Sequence, residues 1–371
     1  MVEIPHGASE DTAPASATAA SPYRALDARR TLARMHASLP RTEDTSTHAA
    51  VELVRRASRF VLCGHMRPDG DCLGAQAAFA RVLEQLGKEV WVINPDLPEK
   101  RYAYLGEHCR FRAWTGGELP VHDAAVLLDF NDTKRLGPLE APLVAAQSKK
   151  LVVDHHVHSG AVFWDAAYID VSAAATGLLV RRLARDLGVA LDVHAATGVF
   201  TSLVTDTGWF KYSNTDAETL AVAAEMVALG VKPHEIFDAL YQSRSREHPL
   251  HIGKLLARTE YLAEGRLAVV VWPLAEVVDG DLVDTDEVLD ILRSVRSVEV
   301  VLFLRELKRG QVKLSARSKT SYDVQALCAA FGGGGHKKAS GALVSGTLDE
   351  VRTRLVAAAL GGFAPGGASA P

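Results

Sequence analysis

The stretch HMRPDGDCLG, residues 65–74, sets His65, Asp69 and Asp71 within seven positions, directly after the apolar run RFVLC at 59–63. It leads into LGAQAAFARVLEQLG (73–87), whose apolar residues recur at helical spacing and end at a glycine. This reads as strand, polar loop, helix. Taken alone, Asp69-Gly70 is equally well a turn. The alternation then repeats. KEVWVIN (88–94), AAVLLDF (124–130) and KKLVVDHH (149–156) read as strands; AATGLLVRRLARDLG (174–188) and VHAATGVFTSLVTD (193–206) read as helices. Apolar runs separated by helical segments predict an α/β fold, a doubly wound and mainly parallel sheet with helices on both faces. In such sheets ligands bind beyond the carboxyl ends of the strands.

The chain turns helical after about residue 212, through DAETLAVAAEMVALG, PHEIFDALYQS and HPLHIGKLLARTEYLAEG. The last of these predicts a long connecting helix near 247–264. A second unit starts at RLAVVVW (266–272). VEVVLFLREL (298–307) and GQVKLSARS (310–318) read as an antiparallel pair around a short turn. SYDVQALCAAF (321–331) reads as a helix, GGGGHKKASG (332–341) as a loop, and LDEVRTRLVAAAL (348–360) as a closing helix. The expected organisation is a tail over 1–47, a first domain over 48–245, a helical linker over 246–265, a smaller α/β domain with a mixed sheet over 266–361, and a tail over 362–371. One amphipathic turn is expected within the first tail, around LDARRTLARMHASL.

Composition narrows the function classes. The 371 residues suffice for two domains, and 48% hydrophobic content is that of a globular protein. A formal charge of −4 offers no bulk attraction for long nucleic acid. Four cysteines without a C-x-x-C pair speak against a disulfide framework or a zinc ribbon and for a reducing cytoplasm. No apolar run reaches the roughly 18–20 residues of a membrane span, and the amino-terminal stretch lacks the apolar segment of a secretory signal.

The ligand-type residues recur at the ends of apolar segments. Asp129 closes AAVLLD, Asp154 with His155 and His156 closes KLVVD, and Asp206 closes GVFTSLVTD. Singly, Asp129 reads as a cap for a helix near Asp132–Thr133, and Asp206 as a helix terminus. Jointly, several carboxylates converging on one crevice repel one another unless cations sit among them. Aspartates and histidines without a thiolate suit manganese, with magnesium as substitute; zinc and iron stay open. The ligands outnumber the needs of one ion, which points to two. Two ions about 3.5–4 Å apart are the usual device for phosphate-ester hydrolysis. Asp69-x-Asp71 does not continue as a calcium loop. His248 and His251 lie one helical turn apart and read as surface or packing residues.

GHMRPDGDCLG, LLDFNDTKRLG, VVDHHVHSG and LVTDTGWF resemble the four successive motifs of the DHH phosphoesterase superfamily. GQVKLSARSK and FGGGGHKKASG resemble its DHH-associated carboxyl-terminal domain. The resemblance covers roughly residues 48–361 and is strongest to the nanoRNase and pAp phosphatase group; RecJ exonucleases, family II pyrophosphatases and cyclic-dinucleotide phosphodiesterases share the first half. It implies that His65, Asp69 and Asp129 hold one metal ion and that Asp71, Asp129, His155 and Asp206 hold the other. It implies that Asp154 orients the histidine pair and that His156 lies near the scissile phosphate. Phe130, where the family often has a smaller residue, is expected to narrow the pocket. In the second domain the resemblance implies that Arg317, Ser315, Gly333, Gly334, Gly335 and His336 grip the distal end of a nucleotide lying between the domains. Their bland readings are a core or surface arginine and a flexible glycine linker.

The expected substrates are short oligoribonucleotides and pAp, with no long nucleic acid and no membrane partner; a homodimer is compatible with the sequence. The competing readings are a cyclic di-AMP or pApA phosphodiesterase, a pyrophosphatase, and a catalytically silent nucleotide-binding regulator. The complete ligand set argues against the last.

Overall fold

The structure, a computed structural model, describes residues 45–158, 160–276 and 285–363. The amphipathic turn expected near 26–39 lies outside them. The chain falls into two units that meet in sequence between Tyr241 and Gln242.

The first unit is built on six strands: β1 (Arg59–Cys63), β2 (Glu89–Asn94), β3 (Phe111–Ala113), β4 (Ala124–Leu128), β5 (Lys149–Asp154) and β6 (Ala166–Ile169). All neighbours pair in parallel, in the order β3-β2-β1-β4-β5-β6. The winding therefore reverses between β1 and β4, which opens a crevice at their carboxyl ends. The edge strands β3 and β6 are short and carry little apolar signal, and the sequence reading missed both.

The helices are α1 (Thr45–Arg56), α2 (Gly70–Gln85), α3 (Glu140–Ala145), α4 (Thr176–Leu187), α5 (Val193–Asp206), α6 (Ala217–Ala228) and α7 (Pro233–Tyr241). α1 begins inside the stretch expected as tail. Side-chain caps start three of them: Asp69 accepts from Cys72 N, Asp192 from Ala195 N and Asp216 from Thr219 N. Phe60, Leu62, Val126 and Val153 form one core with α1, α2, α4 and α5. Val61, Ile93, Leu127 and Val152 pack on the other face with Phe130, Leu136, Leu139 and Leu143. So both faces of the sheet are covered, as a parallel sheet requires.

α2 and α5 cross in close contact. A Cβ on Gly198 would lie 2.6 Å from the Gly74 carbonyl oxygen, and a Cβ on Gly74 would overlap that of Gly198. Two glycines facing each other let the backbones approach this closely. The crossing brings the first turn of α2, with Asp71, toward the last residue of α5, Asp206.

The second unit holds a mixed sheet in the order β11-β12-β10-β9-β8-β7. Its strands are β7 (Glu260–Leu262), β8 (Leu267–Trp272), β9 (Val300–Lys308), β10 (Gln311–Ser318), β11 (Gly334–His336) and β12 (Ala339–Ser345); only β8 and β9 pair in parallel. α8 (His248–Ala257) and α9 (Thr285–Ser294) cover one face; α10 (Val324–Ala329) and α11 (Leu348–Gly361) cover the other.

Three expectations change. The connecting helix expected over 247–264 stops at Ala257, and the chain enters β7 three residues later. His248 is buried and pairs with Glu287, Nε2 to Oε2 at 2.6 Å, so it is a packing residue of this unit. The glycine-rich stretch expected as a loop is a hairpin, with Gly334–His336 paired to Ala339–Gly341. Phe363, in the expected carboxyl-terminal tail, packs its ring on Tyr322 and under the Arg266 guanidinium. Among the described residues no helix is long and apolar enough to cross a membrane.

Candidate metal centre

β1 delivers His65, the start of α2 delivers Asp69 and Asp71, β4 delivers Asp129, β5 delivers Asp154, His155 and His156, and the end of α5 delivers Asp206. His65 Nε2 stands 3.5 Å from Asp129 Oδ2 and 3.9 Å from Asp69 Oδ1. His155 Nε2 stands 3.4 Å from Asp71 Oδ2, 3.6 Å from Asp129 Oδ1 and 3.8 Å from Asp206 Oδ2. Asp129 thus turns one oxygen toward each imidazole. Donors about 2.1 Å from one octahedral ion lie about 3 Å apart, and the imidazole-to-carboxylate distances, 3.4–3.9 Å, exceed that by less than about 1 Å. The donors of Asp71, His155 and Asp206 all lie within 4.8 Å of one another.

The imidazoles carry the clearest sign of fit. His65 Nδ1 bonds the Met66 carbonyl at 2.9 Å, and His155 Nδ1 bonds the Ala173 carbonyl at 3.0 Å. A carbonyl only accepts, so Nδ1 is the N–H and Nε2 carries the lone pair that a metal takes. Both Nε2 atoms are buried and have no hydrogen-bond partner. Leaving such atoms unpaired is costly unless an ion meets them.

The carboxylates and imidazoles shift one another's proton affinities strongly. Burial opposes a charge on His155, but Asp129, Asp71 and Asp206 outweigh it and push the group up to about 11. His65 is raised likewise: burial and the nearby Arg135 oppose its charge, and Asp129 and Asp69 overcome them. Asp71 rises well above the ordinary carboxylate range, first through burial and then through Asp129. Asp129 falls well below it, because His155 and His65 overcome its burial. Asp206 is pushed up to about 6, first by burial.

A layer of donors, largely buried apart from the exposed Asn214, holds the carboxylates. Asp71 Oδ2 accepts from Thr176 N at 2.9 Å, and its Oδ1 accepts from Gly177 N at 3.3 Å and from the Ser202 hydroxyl. The amino-terminus of α4 is therefore aimed at Asp71, where its dipole favours negative charge. Thr176 Oγ1 donates to Asp129 Oδ1 at 3.1 Å. Asp129 itself has a left-handed backbone, φ 71°, a conformation aspartate tolerates better than most residues. Asn214 Nδ2 donates to Asp206 Oδ2 at 3.3 Å and to the Ala174 carbonyl at 3.1 Å. Asp154 is fully buried, and its Oδ1 accepts from His155 N and pairs with His156 Nδ1, both at 2.8 Å. Asn131 Nδ2 donates to the His156 carbonyl at 2.9 Å.

The bland reading of Asp69-Gly70 as a turn changes: Asp69 caps α2, and its Oδ1 stands 3.9 Å from His65 Nε2. Asp132, not Asp129, caps the short helix at Thr133–Leu139. Phe130 does not narrow the crevice. Its ring is buried in the core, edge-on to His65 with centroids 6.3 Å apart. Cys72 Sγ lies within reach of the His65 and Asp129 donors, which sequence reasoning had set aside. Its thiol donates to the Leu128 carbonyl at 3.5 Å, and burial, then Asp129 and Asp69, push it well above its ordinary range. Sequence reasoning also missed Thr176, Ser202, Asn131, Asn214 and Arg135. A threonine or serine inside an apolar helical run carries no local signal of what it faces across the fold.

In the second unit, Ser315 and Arg317 lie on β10, with Ser315 opposite Gly341 and Arg317 opposite Ala339. Arg317 Nη2 pairs with Asp286 Oδ1 at 2.6 Å, a partner the sequence did not suggest. Gly333 and Gly335 are required by the hairpin. A Cβ on Gly333 would overlap the Gly341 carbonyl, and Gly335 has φ 136° with a Cβ 2.6 Å from the Ala339 carbonyl. Gly334 has open space beside it, so packing does not explain its missing side chain. His336 is exposed.

A family model described as the DHH family, N-terminal domain, matches residues 59–231, and one described as the DHHA1 domain matches residues 274–360. The chain is 33% identical over 302 residues to the bifunctional oligoribonuclease and PAP phosphatase NrnA of Thermus thermophilus, a match spanning 79% of this chain and 87% of that protein. It is 24% identical to the protein of the same name from Bacillus subtilis, over 79% and 92% of the two chains. Among solved structures, an exopolyphosphatase-related protein from Bacteroides fragilis superposes with a TM-score of 0.78 at 23% identity, covering 87% of this chain and 98% of that one. RecJ of Thermus thermophilus, solved in complex with Mn2+, gives 0.50 at 16% identity, covering 88% and 57%. The matches run through both units in the same order, and the chain belongs to the DHH family, with a DHHA1 domain following its N-terminal domain.

Proposed function

We propose that this protein is a two-metal phosphoesterase that degrades very short oligoribonucleotides to mononucleotides and removes the 3′-phosphate of 3′-phosphoadenosine 5′-phosphate (pAp). The observation that carries this reading is the pair of buried, unpartnered Nε2 atoms on His65 and His155, facing the two oxygens of Asp129. His65, Asp69 and Asp129 would hold one ion; Asp71, Asp129, His155 and Asp206 would hold the other. Oxygen and imidazole donors suit Mn2+, with Mg2+ as substitute. Such ions, when bound, would supply charge neutralisation at the phosphoryl oxygens and a more acidic water.

The remaining work falls to the chain. Thr176, Gly177 and Ser202 hold the Asp71 oxygens in place, and Thr176 also holds Asp129. Asp154 fixes the His156 ring through Nδ1. Burial opposes a charge on His156, but Asp154 and Asp129 raise its affinity for a proton. The imidazolium is then suited to donate from Nε2 to the leaving oxygen. In the proposed substrate-binding domain, over 266–361, Arg317, Ser315, Gly333, Gly334, Gly335 and His336 take the distal nucleotide. The Asp286 pairing pre-orients the Arg317 fork. The proposed catalytic domain runs over 48–245; the stretch 246–265, expected as a linker, contributes α8 and β7 to the second unit.

The second reading is cyclic di-AMP hydrolysis. Cyclic-di-AMP phosphodiesterase GdpP of Geobacillus thermodenitrificans is 27% identical over 83% of this chain, but the match spans only 48% of that protein. The greater identity and coverage of the NrnA match favour the first reading.

A substrate panel with Mn2+ tests it: pAp, a dinucleotide, a 24-mer RNA, cyclic di-AMP and pyrophosphate. A net charge of −4 offers no bulk attraction for a long strand, so two- to four-nucleotide RNAs should be cut about tenfold or more faster than the 24-mer. Equal rates on long and short RNA, with a steep salt dependence, would point to a RecJ-like exonuclease instead. Rapid cyclic di-AMP cleavage without activity on pAp or short RNA would favour the signalling phosphodiesterase.

A further inference from the structure

We propose that Arg135 contacts the phosphate undergoing cleavage and supplies the positive charge that the ligand cluster lacks. The inference rests on the two-metal reading above. Asp69, Asp71, Asp129 and Asp206 bring four negative charges, which two divalent ions just cancel. A phosphate mono- or diester approaching a neutral core gains little net attraction from it. The cation must come from elsewhere, and His156 is already tied to Asp154.

The Arg135 backbone is tied to the loop that carries His65. Its carbonyl accepts from Met66 N at 2.7 Å, which locks its backbone to the residue after His65. Two residues on, Gly137 turns with φ 52°, and a Cβ there would lie 2.5 Å from Met66 Sδ, so the two loops lie directly on one another. The side chain reaches back into the crevice, where Nη1 meets the Asp129 carbonyl at 3.4 Å. That is its one side-chain hydrogen bond, and Arg135 forms no ion pair with a carboxylate among the described residues. A half-buried guanidinium beside the shared metal ligand therefore keeps most of its five donors for something else. The planar fork matches two phosphate oxygens. Charge aimed at the phosphoryl oxygens from a fixed position is the strongest general device for this chemistry.

The test uses the full-length protein loaded with Mn2+, its metal content measured first. Inorganic phosphate is titrated by calorimetry into wild type, Arg135→Lys and Arg135→Ala. The steady-state constants for a dinucleotide are measured alongside. Expected are two ions in every variant and phosphate binding weakened at least about tenfold in Arg135→Ala. Its kcat/KM should fall by about a hundredfold, partly restored by millimolar guanidinium, with Arg135→Lys intermediate. Phosphate affinity within about twofold of wild type in Arg135→Ala would overturn the proposal. So would a loss of activity that follows lost metal and that guanidinium does not restore. Should wild type bind phosphate but leave pAp and the dinucleotide intact, the proposed function fails, while phosphate affinity still decides on Arg135.

Discussion

The Thr176 hydroxyl donates to Asp129 Oδ1 at 3.1 Å, with both residues buried at the switch point of the sheet. The same residue offers its backbone N–H to Asp71 Oδ2 at 2.9 Å. One threonine thereby sets the directions of two carboxylates that arrive from different elements.

Replacing Thr176 should therefore loosen the metal. Thr176→Val keeps the shape, the backbone N–H and the helix but removes the hydroxyl donor. The expected outcome is metal affinity weakened by about 10- to 100-fold, with Thr176→Ser close to wild type. Calorimetric titration of Mn2+ reads this without an activity assay. Unchanged affinity in Thr176→Val would mean that the hydroxyl merely fills space.

Asp129→Asn tests the sharing of one carboxylate. Asparagine tolerates the left-handed backbone found at this position, φ 71°, so a loss is not confounded by the strain that alanine would add. Turnover should vanish and metal stoichiometry should drop, while the fold persists by circular dichroism. Retention of more than about a tenth of wild-type kcat, about 1.4 kcal/mol of barrier, sinks the bridging role.

The metal-free protein should show a pH-dependent stability that metal removes. His155 is raised from 6.5 to about 11. A group bound more tightly to its proton in the folded state stabilises fully below pH 6.5, and that contribution is lost as pH rises through the folded value. Chelated protein should therefore lose thermal stability between about pH 7 and 10, and Mn2+ added at pH 7 should release protons. His155→Gln should flatten the slope. An unchanged slope in that variant would refute the assignment.

The helix crossing offers a structural test far from any charge. Gly198→Ala places a methyl against the Gly74 carbonyl, and backbone cannot swing aside as a long side chain would. Overpacking of this kind costs about 1–3 kcal/mol. Because α2 carries Asp71 and α5 ends in Asp206, metal affinity should fall together with the melting temperature. A stability loss with metal affinity intact would show that the crossing does not set the ligand spacing.

The strand-helix alternation and the ligand types were legible in the sequence, because each depends on local order. RFVLC, AAVLL and KKLVVD are apolar runs of strand length, and the polar residues that follow them must emerge at their carboxyl ends. His65, Asp71, Asp129 and His155 could be named as candidates for that reason, and Asp206 because it closes an apolar helical run. β3 and β6 could not, since short edge strands bury too little to leave a pattern.

The tertiary structure decided how those residues meet. Strand order placed β1 beside β4, and so put His65 and Asp129 on the two sides of one crevice. The Gly74–Gly198 approach brought Asp71 and Asp206 to the same imidazole. Thr176, Ser202, Asn214 and Arg135 acquired their roles only through contacts across the fold, and Asp286 found Arg317 in the same way. A side chain's donors are written in its residue type, but what they point at depends on packing between elements distant in sequence. That is why the candidate donor types were readable from the chain and their orientation was not.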